Sequence, residues 1–294
     1  MKAIVYREYG SADVLKLEEV SKPAPKDNEV LIKVRAAAVN PLDWHFMRGV
    51  PGFVRLFAGL RKPKKTRLGV DVAGDVELVG TAVEGFKPGD SVFGMAEGAF
   101  AEYVCAPVSA IVVKPQNMNY EQAAAVPIGG LTALQALRDK AKLQSGQKVL
   151  INGASGGVGT FAVQISKWMG AKVTGICSTR NVELVRGIGA ERVIDYTREG
   201  FTASVERYDA IFDLVGNRPL GCVPECPESQ GSLYRLRWRR SGNAGESPAG
   251  GHDRTARGGV VYAPAPGRDF GKRKQRRPGN SEQADDDRRC HSGS

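Results

Sequence analysis

The chain is poor in the side chains that metals and disulfides need. Its 294 residues hold five cysteines and three histidines, and only Cys105 and His45 fall within the first 176. A zinc site built on three or four soft ligands cannot be assembled from that pair. The cysteines (Cys105, Cys177, Cys222, Cys226, Cys290) are odd in number and contain no Cys-x-x-Cys pair, which argues against a disulfide framework and fits a reducing compartment. Cys222, Cys226, His252, Cys290 and His291 match no zinc-ligand spacing. No apolar run reaches the roughly 18 residues of a membrane-spanning helix, and Met1 leads straight into alternating strand-like sequence. The expectation is a soluble, unprocessed, cytoplasmic protein with no metal.

Apolar residues are scarce in the last 74 positions. Residues 221–294 contain six Leu, Ile, Val or Phe, against twelve Gly and twelve Arg. Such a stretch cannot bury enough surface to offset an ordering entropy of about 1–2 kcal/mol per residue, so disorder is expected there. Fourteen Lys or Arg against nine Asp or Glu in this stretch account for half of the net charge of +10. The basic total therefore says little about the folded part. Lysine is absent between Arg218 and Gly271, a skew that also fits out-of-frame translation of a GC-rich gene. The basic runs at residues 235–240 and 272–277 raise RNA binding as an alternative. No RNA-binding fold and no regular Arg-Gly-Gly repeats accompany them, so nucleic acid is not expected as a partner.

The body of the chain is written in two styles. In residues 1–120, Val30, Ile32 and Val34 alternate with Leu31, Lys33 and Arg35, and Lys87-Pro88-Gly89-Asp90 supplies a turn before another strand-like run. Further strands are predicted at residues 99–105 and 110–113, giving a small barrel or curled sheet. Ala-rich helical sequence occupies residues 120–138. From Lys148 onward strands (148–152, 172–177, 192–195, 209–215) alternate with helices (158–169 and 181–188, the second stopped by Gly189). That is the pattern of a parallel α/β sheet; the link at 198–207 is too short to assign.

The strongest local signal is Val149-Leu150-Ile151-Asn152-Gly153-Ala154-Ser155-Gly156-Gly157-Val158-Gly159, an apolar strand that enters a glycine turn and leaves as a helix. Gly156 would let the backbone approach a pyrophosphate, Gly159 would let helix and strand pack closely, and free N–H groups at the helix start would hold the phosphates, which makes Ala154, Ser155, Gly157 and Val158 cofactor-binding residues as well. An NAD enzyme usually places Asp or Glu about twenty residues further on. Here Cys177-Ser178-Thr179-Arg180-Asn181 stands instead. Ser178, Thr179 and Arg180 suit the 2′-phosphate of NADPH, although Ser178 or Thr179 capping the next helix is the plainer alternative.

This order of modules, together with GASGGVG, resembles the medium-chain dehydrogenase/reductase superfamily, and within it the zinc-free quinone oxidoreductases and zeta-crystallin. Matching stretches include Val39-Asn40-Pro41-Leu42-Asp43, Gly69-Val70-Asp71-Val72-Ala73-Gly74, Gly98-Ala99-Phe100-Ala101-Glu102-Tyr103, Gly130-Leu131-Thr132-Ala133 and Val193-Ile194-Asp195-Tyr196. The resemblance implies a GroES-like catalytic β-barrel (1–120), the first part of a Rossmann NADP-binding domain (121–220) and a segment outside the family (221–294). It implies hydride transfer from NADPH to a quinone or α,β-unsaturated carbonyl, and a homodimer if the fold is complete. Where zinc alcohol dehydrogenases carry a Cys and a Gly-His-Glu segment, this chain has Asn40 to Asp43 and Gly69-Val70-Asp71.

By the same resemblance Asn40 would lie near the reacting carbonyl, Thr132 near the nicotinamide amide, Tyr196 at the adenosine phosphate end, and Val215 among the cofactor-binding residues. The plain alternatives are a turn starter for Asn40, a helix-interior residue for Thr132 and a core residue for Tyr196. A catalytically dead NADPH-binding protein is the alternative for the whole. The stretch from Phe53 to Lys65 mixes bulky apolar and basic residues. It reads as a solvated helix with one buried face, with a pocket flap or a membrane-surface helix as alternatives.

Overall fold

The alternating run at Val30–Val34 forms part of β3 (Glu29–Ala38), the longest strand of the amino-terminal half. Leu31 is buried as fully as Val30 and Ile32, so β3 is covered on both faces at its start and the two-faced expectation holds only beyond it. In the computed structural model of the chain, residues 1–200 and 207–216 are described, together with the backbone of Ser232–Arg235. The basic runs and the segment expected to be disordered otherwise lie outside the described residues, as does most of the unassigned link at 198–207.

The amino-terminal half is an antiparallel sheet in the order β6 (Tyr103–Pro107), β3, β4 (Asp71–Val79), β5 (Ser91–Met95), β7 (Ile111–Val113). Register shifts between β3 and β4 at Leu31/Ile32 and Val34/Ala36 increase the local twist and curl the sheet. Val30, Ile32, Val72, Val76, Val92 and Val104 fill its interior. The strand expected at residues 99–105 forms later, as β6, because Ala99 and Phe100 are taken into bonds with the Leu68–Gly69 backbone. A hairpin-like pair, β1 (Lys2–Val5) and β2 (Lys16–Glu19), joins this body through bridges at Ala3–Ala101 and Val5–Arg67. Two helices follow β3: α1 (Pro41–Arg48) and the five-residue α2 (Val54–Ala58).

Helices α3 (Tyr120–Ala124) and α4 (Pro127–Leu134), the latter continuing as a π-helical turn over Gln135–Lys140, connect the halves. α3 packs on β3, β4 and β5, whereas α4 touches β5 on one side and α5 on the other. The second half is a wholly parallel sheet in the order β10 (Arg192–Asp195), β9 (Lys172–Cys177), β8 (Lys148–Asn152), β11 (Ala210–Asp213), β12 (Ser232–Arg235). α5 (Gly157–Trp168) and α6 (Val182–Gly187) link its first strands. The α/β class, the curled β-domain and the Rossmann-type sheet agree with the sequence reading. β11 is shorter than expected because the chain turns after Leu214, where the Val215 and Gly216 N–H groups bond the Asp213 side chain.

One strand lies where none was expected. β12 extends the sheet into residues assigned to a non-family segment, pairing parallel with β11 from Ala210↔Ser232 to Asp213↔Arg235. Its four residues are flanked by Gly231 and an Arg-rich run, so no alternating apolar pattern marks it. A sheet edge beside the buried β11 supplies the backbone partners that the local sequence does not advertise.

Ile151 is fully buried in the second core and Leu17 is 65 % exposed on β2. Ile151→Ala is expected to cost about 2–5 kcal/mol in denaturant unfolding, against under about 0.5 kcal/mol for Leu17→Ala. Equal effects would contradict the placement of β8 at the centre of the sheet.

Candidate functional site

The end of β8 and the start of α5 are held unusually close. Gly153 has φ +85° and turns the chain out of the strand. A Cβ on Gly159 would stand 2.1 Å from the Gly153 carbonyl oxygen and 2.9 Å from two Ala154 backbone atoms, a separation no side chain tolerates. Glycine at 159 therefore brings the first turn of α5 down onto the strand it leaves. Gly156 is its N-cap, and the N–H groups of Gly157, Val158 and Gly159 have no carbonyl within the helix to bond. They form an open donor cluster, and Gly157 has no atom within 4 Å of a built Cβ. Ala154 has a different position. Its N–H donates to the Ile176 carbonyl at 3.0 Å and its side chain is fully buried, so it seats the turn on β9 and presents no free donor.

Across the sheet, β8, β9 and β10 proceed in one direction while β11 and β12 proceed in the other. The crevice where the order reverses lies beyond the carboxyl ends of β8 and β11, where α/β sheets take ligands. Those two ends are knotted together by Asp213, which accepts at Oδ1 from Asn152 Nδ2 (2.9 Å), Val215 N (3.1 Å) and Gly216 N (2.9 Å). Val215 is half-exposed beside the glycine turn, its Cγ2 2.9 Å from a Cβ built on Gly153.

The second βα turn adjoins the first. Asn181 Nδ2 donates to Ser155 Oγ at 3.1 Å and to Ser178 Oγ at 3.3 Å, tying the two turns. Arg180 is exposed. Tyr196 is 56 % exposed at the end of β10, its N–H bonded to the Cys177 carbonyl, so it is not a core residue. Sequence reasoning missed a carboxylate here. Thr179 Oγ1 donates to Asp195 Oδ2 at 2.6 Å and lies 2.7 Å from the Thr197 hydroxyl oxygen. Asp195 also accepts from the Thr197 N–H and hydroxyl, and Arg198 lies 3.6 Å away. The Thr179 hydroxyl, followed by the Thr197 bonds and the Arg198 guanidinium, holds the Asp195 carboxyl below its ordinary range. Its charge is directed into this network, which leaves the exposed Arg180 as the cation of the turn, beside the half-buried Ser178.

A third cluster lies in the β-domain. Asn40 is the N-cap of α1, and its N–H donates to the Asp43 carboxylate at 2.8 Å. Its Nδ2 donates to Asp71 Oδ2 at 3.1 Å and to the Ala38 carbonyl at 3.4 Å. Two acceptors around one nitrogen fix the amide's orientation. Asp71 is fully buried and also accepts from the Ile128 N–H, at the start of α4, with both oxygens at 3.2 Å. Burial pushes the Asp71 carboxyl up to about 7; the bonds from Asn40 and Ile128 oppose that rise and nearby Asp43 adds to it. Asp43, which also accepts from the Gly69 N–H, is raised by burial as well. Thr132 is buried within α4.

A cavity of about 200 Å³ opens beside Asp43 and Gly69, walled by Tyr6, Phe46, Phe57 and Leu68. Every residue lining it comes from the first 98, so its wall is built by the β-domain. Phe57, Ala58, Lys64 and Lys65 form part of its wall, which places the Phe53–Lys65 stretch over a pocket. The expected buried helix face is absent: no residue of α2 is buried, because Gly59 ends the helix after five residues, too few to form an apolar stripe.

Asp71 gives the cluster a pH signature. Its carboxyl ionises near 3.8 as an ordinary aspartate and near 7 in the fold, so the folded state holds an extra proton between those values. Stability from this group is complete below about pH 4 and is lost as pH rises to about 7. Melting temperature is expected to fall between pH 5 and 8, and Asp71→Asn to flatten that fall, an effect on the order of a few kcal/mol at pH 8. An unchanged slope in the variant would show that Asp71 does not titrate in this range.

Known proteins match both halves. Residues 26–116 match the alcohol dehydrogenase GroES-like domain, and residues 157–232, ending at β12, match the domain described as zinc-binding dehydrogenase. The chloroplast envelope quinone oxidoreductase homolog of Arabidopsis thaliana is 40 % identical over 233 residues, covering 74 % of this chain and 69 % of the relative. The chloroplastic NADPH-dependent alkenal/one oxidoreductase of the same plant is 38 % identical over 229 residues, covering 74 % of this chain and 58 % of the relative. The chain thus spans between about half and two thirds of the curated relatives it matches, down to 57 % in one from Solanum lycopersicum. Among solved structures, the quinone oxidoreductase from Coxiella burnetii aligns with a TM-score of 0.72 at 35 % identity, over 81 % of this chain and 75 % of that one. Fold order, glycine turn and these matches agree: the chain belongs to the medium-chain dehydrogenase/reductase superfamily, in its quinone oxidoreductase branch.

Proposed function

We propose that the protein is an NADPH-dependent oxidoreductase that passes hydride to a quinone or an α,β-unsaturated carbonyl without zinc. The observation that carries this reading is the donor cluster at the start of α5, set at the switch point of a parallel sheet beside Ser178 and Arg180. A dinucleotide fits it. The turn has no side chain at Gly156 or Gly157, a Cβ on Gly157 would meet open space, and the first N–H groups of α5 have no partner within the helix. The Arabidopsis relative described as NADPH-dependent supports the choice of cofactor.

When bound, the cofactor supplies the hydride. The chain's residues bind and orient. N–H groups of Gly157 and Val158 hold the phosphates, Ser178 and Arg180 hold the 2′-phosphate, and Thr179 positions the turn through Asp195. Tyr196 covers the adenosine end, while Val215 and Thr132 bound the nicotinamide end. Asn40 spends both amide hydrogens on Asp71 and Ala38, so it shapes the seat of the acceptor rather than polarising its oxygen. An acceptor that is electron-poor by itself needs little more than that orientation. Residues 40–43 and 69–71, where zinc relatives place their ligands, supply Asn40, Asp43 and Asp71, already bonded to one another and to backbone. The odd number of cysteines, with no Cys-x-x-Cys pair, supports a reducing compartment such as the cytosol. A dimer seam on strands beyond β12 falls outside the described residues.

Steady-state NADPH oxidation over a panel of benzoquinones, naphthoquinones and 2-alkenals tests the reading. Turnover is expected with NADPH well above NADH. Arg180→Ala is expected to raise KM for NADPH about tenfold, the worth of one charge-assisted bond, with kcat and the NADH reaction little changed. NADPH binding without turnover on any acceptor would sink the catalytic part, and equal effects of Arg180→Ala on both cofactors would sink the 2′-phosphate assignment.

A further inference from the structure

Four large apolar side chains stand in water along one short segment. Phe53, Leu56, Phe57 and Leu60 are 53, 65, 66 and 68 % exposed; the first three share one side of α2 and its N-cap, and Leu60 follows Gly59, where the helix has ended. The other side of the segment is fastened down. Arg55 Nε donates to the Gly49 carbonyl at 3.1 Å with its guanidinium over the Tyr9 ring, the Tyr9 hydroxyl donates to the Gly59 carbonyl at 2.6 Å, and the Lys64 N–H donates to Ala58 at 2.7 Å. Pro63 is buried beneath. A slack loop would turn its apolar residues inward. This one is held so that they face out, which marks an interaction surface.

Charge identifies the occupant. Between Asp43 and Asp71 the chain has no acidic residue but seven cations: Arg48, Arg55, Arg61, Lys62, Lys64, Lys65 and Arg67. Arg61, Lys62 and Lys64 are exposed directly beside the apolar row, and Lys65 is ion-paired with Glu97. A second copy of the chain is a poor fit, because a two-fold contact would press this cationic cluster against itself. An anionic lipid surface satisfies both components, with apolar side chains entering the acyl boundary and lysines meeting headgroups.

We propose that the segment from Phe53 to Lys65 docks the protein on anionic bilayers. Among the described residues no helix is long and apolar enough to cross a membrane, so the attachment is peripheral. Phe57, Ala58, Lys64 and Lys65 belong both to this surface and to the wall of the 200 Å³ cavity. The cavity therefore opens where the bilayer would lie and admits an acceptor dissolved in it, a step that rests on the hydride-transfer reading, whereas docking itself does not.

The test is co-sedimentation of the full chain with vesicles of phosphatidylcholine alone or with one third phosphatidylserine. Binding is expected only with phosphatidylserine and is expected to be released by high salt. Arg61→Glu with Lys62→Glu is expected to lower the partition coefficient more than about tenfold, and Leu56→Ser with Leu60→Ser several-fold, while Lys272→Glu with Arg273→Glu in the basic carboxyl-terminal run changes little. Absence of binding, equal binding by all variants, loss confined to the carboxyl-terminal variant, or lipid-free self-association abolished by the segment variants would each overturn the proposal. NADPH oxidation with a water-soluble quinone in the same preparations separates the two readings. Lost docking with turnover intact removes docking alone, and intact docking without turnover removes the hydride reading alone.

Discussion

The contact between the Gly153 carbonyl and the first turn of α5 is the constraint on which the rest of the site depends. With only hydrogen at position 159, the helix descends onto the strand it leaves, and its first N–H groups point past the end of β8 into the crevice beside β11. Ala154 completes the seat by bonding β9 and filling the space beneath. Asp213 then fixes the facing strand end through three donors. Further bonds tie the neighbouring turns to one another: Asn181 joins Ser155 and Ser178, Thr179 bonds Asp195, and Val215 stands beside Gly153.

The β-domain is joined to this platform by short helices rather than by sheet. α3 lies on the curled sheet and α4 lies against α5, and the Asp71 carboxylate holds the start of α4 and the Asn40 amide at once. A buried carboxylate in that position couples Asn40, at the start of α1, to the helix that bears Thr132. Its elevated proton affinity is the consequence of burying it with neutral donors only and with Asp43 nearby. Asn40, Asp43 and Asp71 thus form a self-satisfied polar cluster, bonded to one another and to backbone.

Much of this was legible in the sequence because it rests on local signals. An apolar strand that breaks into glycines and resumes as a helix has few other readings, and Ser178-Thr179-Arg180 follows at the interval the fold requires. The bonds that couple distant residues were not legible. Thr179 meets Asp195 sixteen positions on, and Asn40 meets Asp71 thirty-one positions on, separations that only the folded topology closes. An acidic residue inside the apolar run Val70-Asp71-Val72 was the available signal for the second of these. β12 escaped notice because its pairing comes from the edge of β11 rather than from its own four residues. α2 was over-read, since an apolar row without enough helix to bury it stays at the surface.

Fluorescence titration of NADPH against the wild-type chain, Gly159→Ala and Gly187→Ala tests the central role of the glycine contact most directly. Gly187, at the end of α6, has no atom within 4 Å of a built Cβ, so its variant controls for helix propensity alone. The account predicts tight binding by wild type and Gly187→Ala, with binding to Gly159→Ala weakened at least a hundredfold because α5 is pushed off the Gly153 carbonyl. Wild-type affinity in Gly159→Ala, or no binding by any of the three, would contradict it.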